Sequence, residues 1–180
     1  MVYLSYEHSY VCFFFYSVDV SIIIYVLNIM NVLLINDSVK EYQLFVDSVN
    51  ETTIPFVYGP TTTREDFNLF LTDKAVQRIG VVFEIGMNLF GHTFFDSVDY
   101  LNSLNVPTLD FLACDTLLFP EWKEFYSKLN GTIGASDNPT GNLKYGGDWT
   151  LETTMEDVEK VYFTASIEYY KYLLQAMGEE

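Results

Sequence analysis

Cys114 is the side chain in this sequence best suited to covalent chemistry. It follows the predicted strand 108–113, so a strand should deliver its thiol to the exposed rim of a sheet. A thiol is mostly protonated at neutral pH, and it attacks a peptide readily only when an imidazolium or another cation stabilises the thiolate. The commonest role of a free cysteine is that of a small core side chain. Residue type alone therefore favours packing over catalysis.

Histidine, the usual partner of a nucleophilic thiol, is scarce. The sequence holds only His8 and His92, and His8 lies in an amino-terminal region of doubtful origin. His92 stands between Gly91 and Thr93, a composition typical of a turn. A hairpin folding back could bring His92 near Cys114, whereas the simpler interpretation is an exposed turn histidine.

Acidic residues collect near the predicted strand ends. Five carboxylates could meet there and bind a hard cation such as calcium, which favours oxygen ligands: Glu84, Asp110, Asp115, Asp137 and Asp148. Their spacing matches no metal-binding motif, and the loop 136–141 lacks the glycine pattern and lysine of a phosphate-binding loop. We therefore expect no metal and no cofactor.

The elements that must position these residues follow an alternating pattern. Short β-branched runs alternate with amphipathic stretches, which is typical of parallel strands joined by crossover helices. The predicted strands are 32–35, 54–58, 79–83, 108–113 and 132–135, and the predicted helices are 39–50, 64–76, 97–104 and 121–129. We expect a hairpin at 85–95, a loop at 136–147, a short strand at 148–152, and one long closing helix or two broken ones at 156–177.

Residues 1–29 form a separate problem. Residues 11–29 are nearly all apolar and about long enough to cross a bilayer, but Asp19 lies in their middle and residues 1–29 contain no Lys or Arg. Met30 stands directly before the first predicted strand. We therefore separate an apolar leader, 1–29, from a single domain, 30–180. Three interpretations of the leader stay open: a membrane segment, a buried strand or helix, or a mis-assigned start of the protein. Removal of the leader should leave the fold intact.

Composition narrows the classes of partner. The formal net charge is −16 and the few basic residues are scattered singly, so the clustered cations that nucleic acids require are missing. Cys12 and Cys114 lie too far apart in sequence to suggest a disulfide scaffold or a zinc site. We expect no nucleic-acid partner.

Three segments of the carboxyl half carry a resemblance to a known family. They read FLACDT at 111–116, LNGTIGASDNPTGN at 129–142 and GGDWTLE at 146–152. They resemble a caspase-like domain of unknown function, which is similar to the clan of caspases and gingipains and occurs near the amino end of long bacterial surface proteins. Closer variants, which share VYFT at 161–164 and SIEYY at 166–170, look like proteins of giant DNA viruses. The resemblance covers about 32–174 and implies a three-layer α/β fold with a mostly parallel sheet and helices on both faces.

The resemblance also implies a site. The family's nucleophile position falls on Cys114, and its loop beside the substrate cleft falls on 136–145, which includes Ser136, Asp137 and Asn138. The family's Ser-His-Gly triplet, whose histidine is the expected base, aligns with Phe83-Glu84-Ile85, so Glu84 stands in place of the base. A carboxylate beside a thiol raises the thiol pKa by like-charge repulsion, and Asp115 should add to that effect.

These residues support three functions. The first is a non-catalytic caspase-like module for interaction or structure, with a protein or peptide partner. The alternative is a cysteine peptidase with Cys114 as nucleophile and His92 as a non-standard base, and the third is a surface module that binds carbohydrate or ions. Membrane contact is expected only through residues 11–29. The viral resemblance implies a location in the host cytoplasm or in a virus particle. The sequence leaves the oligomeric state open.

Overall fold

A five-stranded parallel sheet forms the centre of the protein. A computed structural model describes residues 5–6, 9–10 and 29–175. Ser5–Tyr6 (β1) and Ser9–Tyr10 (β2) pair with each other in antiparallel fashion. The sheet strands are β3 (Ile29–Asn36), β4 (Thr53–Tyr58), β5 (Ala75–Val82), β6 (Thr108–Leu112) and β7 (Thr132–Gly134), in the spatial order β4-β3-β5-β6-β7. Because all four pairings are parallel, every strand ends at the same edge.

Five α-helices and two more short strands complete the described fold. The helices are α1 (Tyr42–Ser48), α2 (Arg64–Leu71), α3 (Val98–Ser103), α4 (Pro120–Ser127) and α5 (Val158–Tyr162). The strands β8 (Thr150–Leu151) and β9 (Glu156–Asp157) form an antiparallel pair, and 3₁₀ turns occupy Phe95–Ser97, Thr116–Leu118, Leu143–Tyr145 and Ala165–Tyr169.

Two aromatic clusters show that helices cover both faces of the sheet. On one face, Trp122 of α4 packs on Phe83, and Phe67 of α2 packs on Phe56. On the other face, Phe45 of α1 contacts a set of carboxyl-terminal rings, Trp149, Phe163 and Tyr170. The predicted three-layer α/β architecture is confirmed.

Local capping explains where several elements begin and end. Thr63 and Asp66 form a capping box that starts α2, and Pro120 opens α4. The predicted extension of α2 to residue 76 is wrong, because the backbone leaves the helical region at Thr72 (ψ 134°) and Asp73 adopts a left-handed φ of 65°. The chain then enters β5 at Ala75.

A single long closing helix at 156–177 is wrong; the chain follows the predicted alternative of two helical pieces separated by a break, although both pieces, α5 and the 3₁₀ turn Ala165–Tyr169, are short. Asp157 caps the short helix α5, and the chain becomes extended again at Phe163. There the backbone leaves the helix and pairs with the end of α1, since Thr164 donates its N–H to the carbonyl of Ser48 over 2.7 Å. Apolar side chains at helical spacing are buried, but successive short pieces carry them.

The predicted leader lies almost wholly outside the described residues. The predicted membrane segment 11–29 comprises residues 11–28, which are not described, and Ile29, which begins β3 and pairs with Ala75. The first sheet strand thus includes the residue before Met30. Within the described ranges, no helix has the length and apolar character needed to cross a membrane.

Candidate functional site

Three neighbouring strands bring the candidate residues to one edge of the sheet. Glu84 lies two residues beyond β5, Cys114 two beyond β6 and Ser136 two beyond β7. All three side chains are buried there. The parallel topology therefore places these residues on adjacent strand ends, as their order in the sequence implies.

The thiol of Cys114 is enclosed, and the expectation of an exposed rim position is wrong. Only 2% of the residue is accessible. The N–H of Thr140 donates to Cys114 Sγ over 3.1 Å, and the thiol in turn faces the carbonyl of Thr140 at 3.6 Å. The loop after β7 folds back over the end of β6, which sequence periodicity does not reveal.

A second layer over Cys114 comes from residues 172–174, which we call the covering segment. The N–H of Cys114 donates to the carbonyl of Leu174 over 2.8 Å, and the N–H of Leu174 donates to the carbonyl of Thr140 over 3.0 Å. Leu173 forms an antiparallel bridge with Gly141, and Leu174 is fully buried. The sequence assigns these residues to a helix, so it misses their contact with the thiol.

The surroundings of Cys114 favour the neutral thiol. Burial is the largest cause that raises the pKa of Cys114 to about 12, and the N–H of Thr140 opposes this rise. Asp115 and Glu84 raise the same pKa further by charge repulsion. The direction agrees with the electrostatic argument from the sequence, while the larger contribution of burial is a result of the tertiary structure.

Glu84 is itself nearly buried. Burial raises the pKa of its carboxyl group, and the positive charge of Lys40 opposes that rise. Tyr170 lies in the same neighbourhood: burial, then the charges of Glu84 and Cys114, raise the pKa of its phenol. The buried hydroxyl of Tyr170 has no hydrogen-bond partner among the described residues. Lys40 does not stand out in the sequence, and Tyr170 appears there only as the last residue of the segment SIEYY at 166–170.

His92 lies in an exposed hairpin turn. Leu89 and His92 exchange two backbone hydrogen bonds, of 2.7 and 3.1 Å, which confirms the predicted hairpin. In the described part of the chain, His92 is not among the hydrogen-bond partners of Cys114. The geometry therefore indicates that His92 is a turn residue.

The predicted cleft residues are bonded among themselves. Ser136 is fully buried, and its hydroxyl donates to the carbonyl of Asn138 over 2.9 Å. The amide of Asn138 donates to Asp148 and Glu152 over 3.1 and 2.9 Å. Asp137 is exposed and uses its backbone N–H to bind Glu152. This network shapes the loop that covers Cys114.

Asp110 does not reach the rim, so the five carboxylates that could have met there do not all gather. It is fully buried in β6, where it forms an ion pair with Arg78 and accepts a hydrogen bond of 2.6 Å from Tyr162. Glycines on both neighbouring strands leave space for this cluster: a Cβ at Gly134 would lie 2.1 Å from Asp110 Oδ1, and one at Gly80 would lie 2.7 Å from Tyr162 Cζ. No set of three or more metal-ligating side chains occurs among the described residues.

Comparison with known proteins gives one match. A family model described as a domain of unknown function (DUF4347) matches residues 122–174. The match covers less than half of the chain; it contains the loop with Thr140 and the covering segment, but neither Cys114 nor Glu84. The searches of curated proteins and of solved structures returned no match. The carboxyl part of the chain is thus similar to a family whose function is unknown.

A cavity of about 300 Å³ lies at the same edge of the sheet, near the ends of β3 and β4. Asn36, Tyr58 and Met87 are among its lining residues. None of the site residues predicted from the sequence lines this cavity.

Proposed function

We propose that this chain is a non-catalytic caspase-like domain that acts as an interaction or structural module. The observation that carries the proposal is the enclosure of Cys114 by Thr140 and the covering segment, with two acidic neighbours beside the thiol. The caspase-like assignment comes from the sequence resemblance. The three-layer fold and the match over 122–174 support it without naming an activity.

The electrostatics of the thiol argue against peptide cleavage. A cysteine peptidase needs a thiolate, which a nearby cation stabilises. With a pKa of about 12, the thiol is almost entirely protonated at pH 7. Glu84 and Asp115 add negative charge where a peptidase needs positive charge. A substrate carbonyl would also have to displace the backbone contacts of Thr140 and Leu174.

Labelling with a peptidyl electrophile tests the proposal. The folded protein is incubated with peptidyl chloromethyl ketones or vinyl sulfones, and adducts are mapped by mass spectrometry. We expect no adduct on Cys114 in the folded protein and ready alkylation by iodoacetamide after denaturation. Cys114→Ala is the matched control.

The contrary outcome is an adduct on Cys114 of the folded protein that disappears in Cys114→Ala. The alternative function, a cysteine peptidase with His92 as base, predicts more: cleavage of unstructured peptides that both Cys114→Ala and His92→Ala abolish. Such cleavage would replace the non-catalytic proposal.

A further inference from the structure

The cavity of about 300 Å³ lies where small molecules commonly bind in open parallel sheets. β3 is the first strand of the sheet along the chain and lies between β4 and β5, so the strand order reverses beside it. Ligands bind in the crevice that forms outside the carboxyl ends of the strands at such a reversal. Residues of three segments, 36–38, 58–60 and 86–91, line the cavity. These segments follow β3, β4 and β5, respectively.

Tyr58, at the end of β4, brings an unused polar group to this cavity. Only 1% of the residue is exposed, and its hydroxyl has no hydrogen-bond partner among the described residues. Burial is the largest cause that raises the pKa of this phenol; the amide of Asn36 opposes the rise, and the charge of Asp37 adds to it. The hydroxyl therefore lies near two other lining residues. A buried hydroxyl without a partner is unfavourable, so a ligand group that bonds to it is favoured.

The neighbouring polar groups are held in place but weakly bonded. The amide of Asn36 donates to the carbonyl of Asn88 over 3.4 Å, and the hydroxyl of Ser38 donates to Asp37 Oδ1 over 3.3 Å. Both bonds are longer than the common values of about 2.8–3.0 Å. Asn36 keeps its orientation because its Oδ1 accepts the N–H of Ser38 over 2.9 Å. These groups can therefore exchange weak internal bonds for bonds to a ligand.

Gly59 makes room for the carboxylate of Asp37. A Cβ at Gly59 would lie 2.0 Å from Asp37 Oδ2, so a larger residue at this position would displace the carboxylate. Asp37 is exposed, and within the described part of the chain no Lys, Arg or His lines the cavity. The lining thus carries one negative charge, which disfavours phosphate and carboxylate ligands.

The polar groups of the lining fit a neutral ligand with several hydroxyl groups. The lining combines one carboxylate, which only accepts hydrogen bonds, with amides and hydroxyls, which both donate and accept: Asp37, Asn36, Asn88, Ser38 and Tyr58. A ligand hydroxyl also donates and accepts, so adjacent hydroxyls can pair with this mixed set. An ammonium group only donates and would leave the amide and hydroxyl donors without acceptors. The volume falls at the lower end of the range of about 300–1,000 Å³ for small-molecule sites, which suits a single sugar ring.

We propose that this cavity binds one neutral pyranose sugar, with Asp37 accepting hydrogen bonds from adjacent sugar hydroxyls and Tyr58 and Asn36 completing the contacts. Phe90 packs on the ring of Tyr58 with centroids 5.2 Å apart, so the sugar reaches the enclosed hydroxyl after a small shift of the segment 86–91. The long bond between Asn36 and Asn88 permits this shift. The site does not include Cys114, and the inference goes beyond the proposed function without depending on it.

Nuclear magnetic resonance on the full chain gives the first test. Glucose, galactose, mannose, xylose and N-acetylglucosamine are titrated separately to about 50 mM, which saturates a site with a Kd of about 1 mM. We expect at least one sugar to give saturable shifts of backbone amide signals, confined to the segments 36–38, 58–60 and 86–91. Saturable shifts with none of the five sugars, or only outside these segments, would overturn the inference.

Two pairs of variants give the second test. Asp37→Asn should raise the Kd of the bound sugar at least about tenfold, while Asp99→Asn, at an exposed aspartate of α3, should leave it unchanged. Tyr58→Phe should also raise the Kd about tenfold, without loss of stability when sugar is absent. Tyr126→Phe removes another buried hydroxyl that has no described partner, and it should keep the wild-type Kd.

Gly59→Ala tests the position of the carboxylate. The added methyl group displaces the side chain of Asp37 and keeps its charge, so the Kd should rise although the net charge is unchanged. If Gly59→Ala fails to fold, Asp37→Asn decides. A wild-type Kd in either Asp37→Asn or Tyr58→Phe would overturn the inference and would leave the non-catalytic function standing, because neither result concerns the labelling of Cys114.

Discussion

Burial controls Cys114 more strongly than the charges of its neighbours do. The pKa of the thiol is raised first by loss of solvent and only then by Asp115 and Glu84. The backbone N–H of Thr140 partly offsets these effects by donating to Sγ. The covering segment acts on this pKa in both directions, because it helps to bury the thiol, while a backbone hydrogen bond from Leu174 lowers the pKa.

Replacing Glu84 tests the contribution of charge. In the alkaline range where the thiol titrates, the carboxyl group of Glu84 is ionised and opposes the thiolate. Glu84→Gln should therefore lower the pKa of Cys114, yet leave it above the ordinary value of 9.0, because burial persists. The pH dependence of the Cys114 alkylation rate measures this shift. Glu168→Gln, at an exposed position, is the control; an unchanged or higher pKa in Glu84→Gln would contradict the argument.

At the level of elements, a buried polar cluster joins the carboxyl-terminal pieces to the sheet. Asp110 of β6 receives hydrogen bonds from Arg78 of β5 and from Tyr162 of α5. Arg78 also pairs with Glu156 of β9. Gly80 and Gly134 create the space on either side. The cluster thereby fixes α5 and β9 against the sheet, upstream of the covering segment.

Breaking this cluster should cost much of the stability of the fold. Asp110→Ala leaves Arg78, in a mostly buried position, with only the half-exposed Glu156 as its acidic partner and removes the acceptor of Tyr162, and we expect a loss of about 3 kcal/mol. Tyr162→Phe removes one hydrogen bond and should cost about 1 kcal/mol. Urea unfolding followed by circular dichroism measures both.

The exposed pair of Lys128 and Glu124 provides the control for these variants. Its side chains are more than half exposed, so Lys128→Ala should leave the midpoint close to that of the wild type. A loss in Asp110→Ala no larger than in Tyr162→Phe would mean that the ion pair does not anchor the carboxyl-terminal pieces.

At the scale of the whole molecule, buried tyrosines dominate the response to high pH. Burial raises the phenol pKa of Tyr58, Tyr126, Tyr162 and Tyr170 above the ordinary value of 10.0. Above about pH 10 the unfolded chain releases protons that the folded chain retains, so the folded state binds more protons. The free energy of unfolding therefore falls as pH rises.

Alkaline titration checks this behaviour. We expect the urea midpoint to be lower at pH 11 than at pH 8, and phenolate absorbance to rise together with unfolding. Tyr170→Phe removes one of the titrating groups and a hydroxyl without a hydrogen-bond partner in the described structure, so the fall with pH should become shallower. A midpoint that does not change between pH 8 and pH 11 would contradict the prediction.

Local patterns in the sequence predicted the alternation of strands and helices and the order of Glu84, Cys114 and Ser136 along successive strand ends. The sequence also showed that histidine is almost absent. These features could be predicted because they depend on local composition and on the rule that parallel strands end at one edge of a sheet. The position of Asp110 could have been predicted better from the sequence, since the side chain of a residue inside a strand points to a face of the sheet and not to its end.

Whether the site around Cys114 is open depends on contacts between distant parts of the chain. The helical spacing of apolar residues in 156–177 is real, but pairing of residue 164 with residue 48 interrupts the helix, and pairing of residues 173 and 174 with the loop at 140–141 covers Cys114. Such contacts join segments distant in sequence, so no local pattern encodes them. The burial that keeps the thiol neutral follows from those contacts.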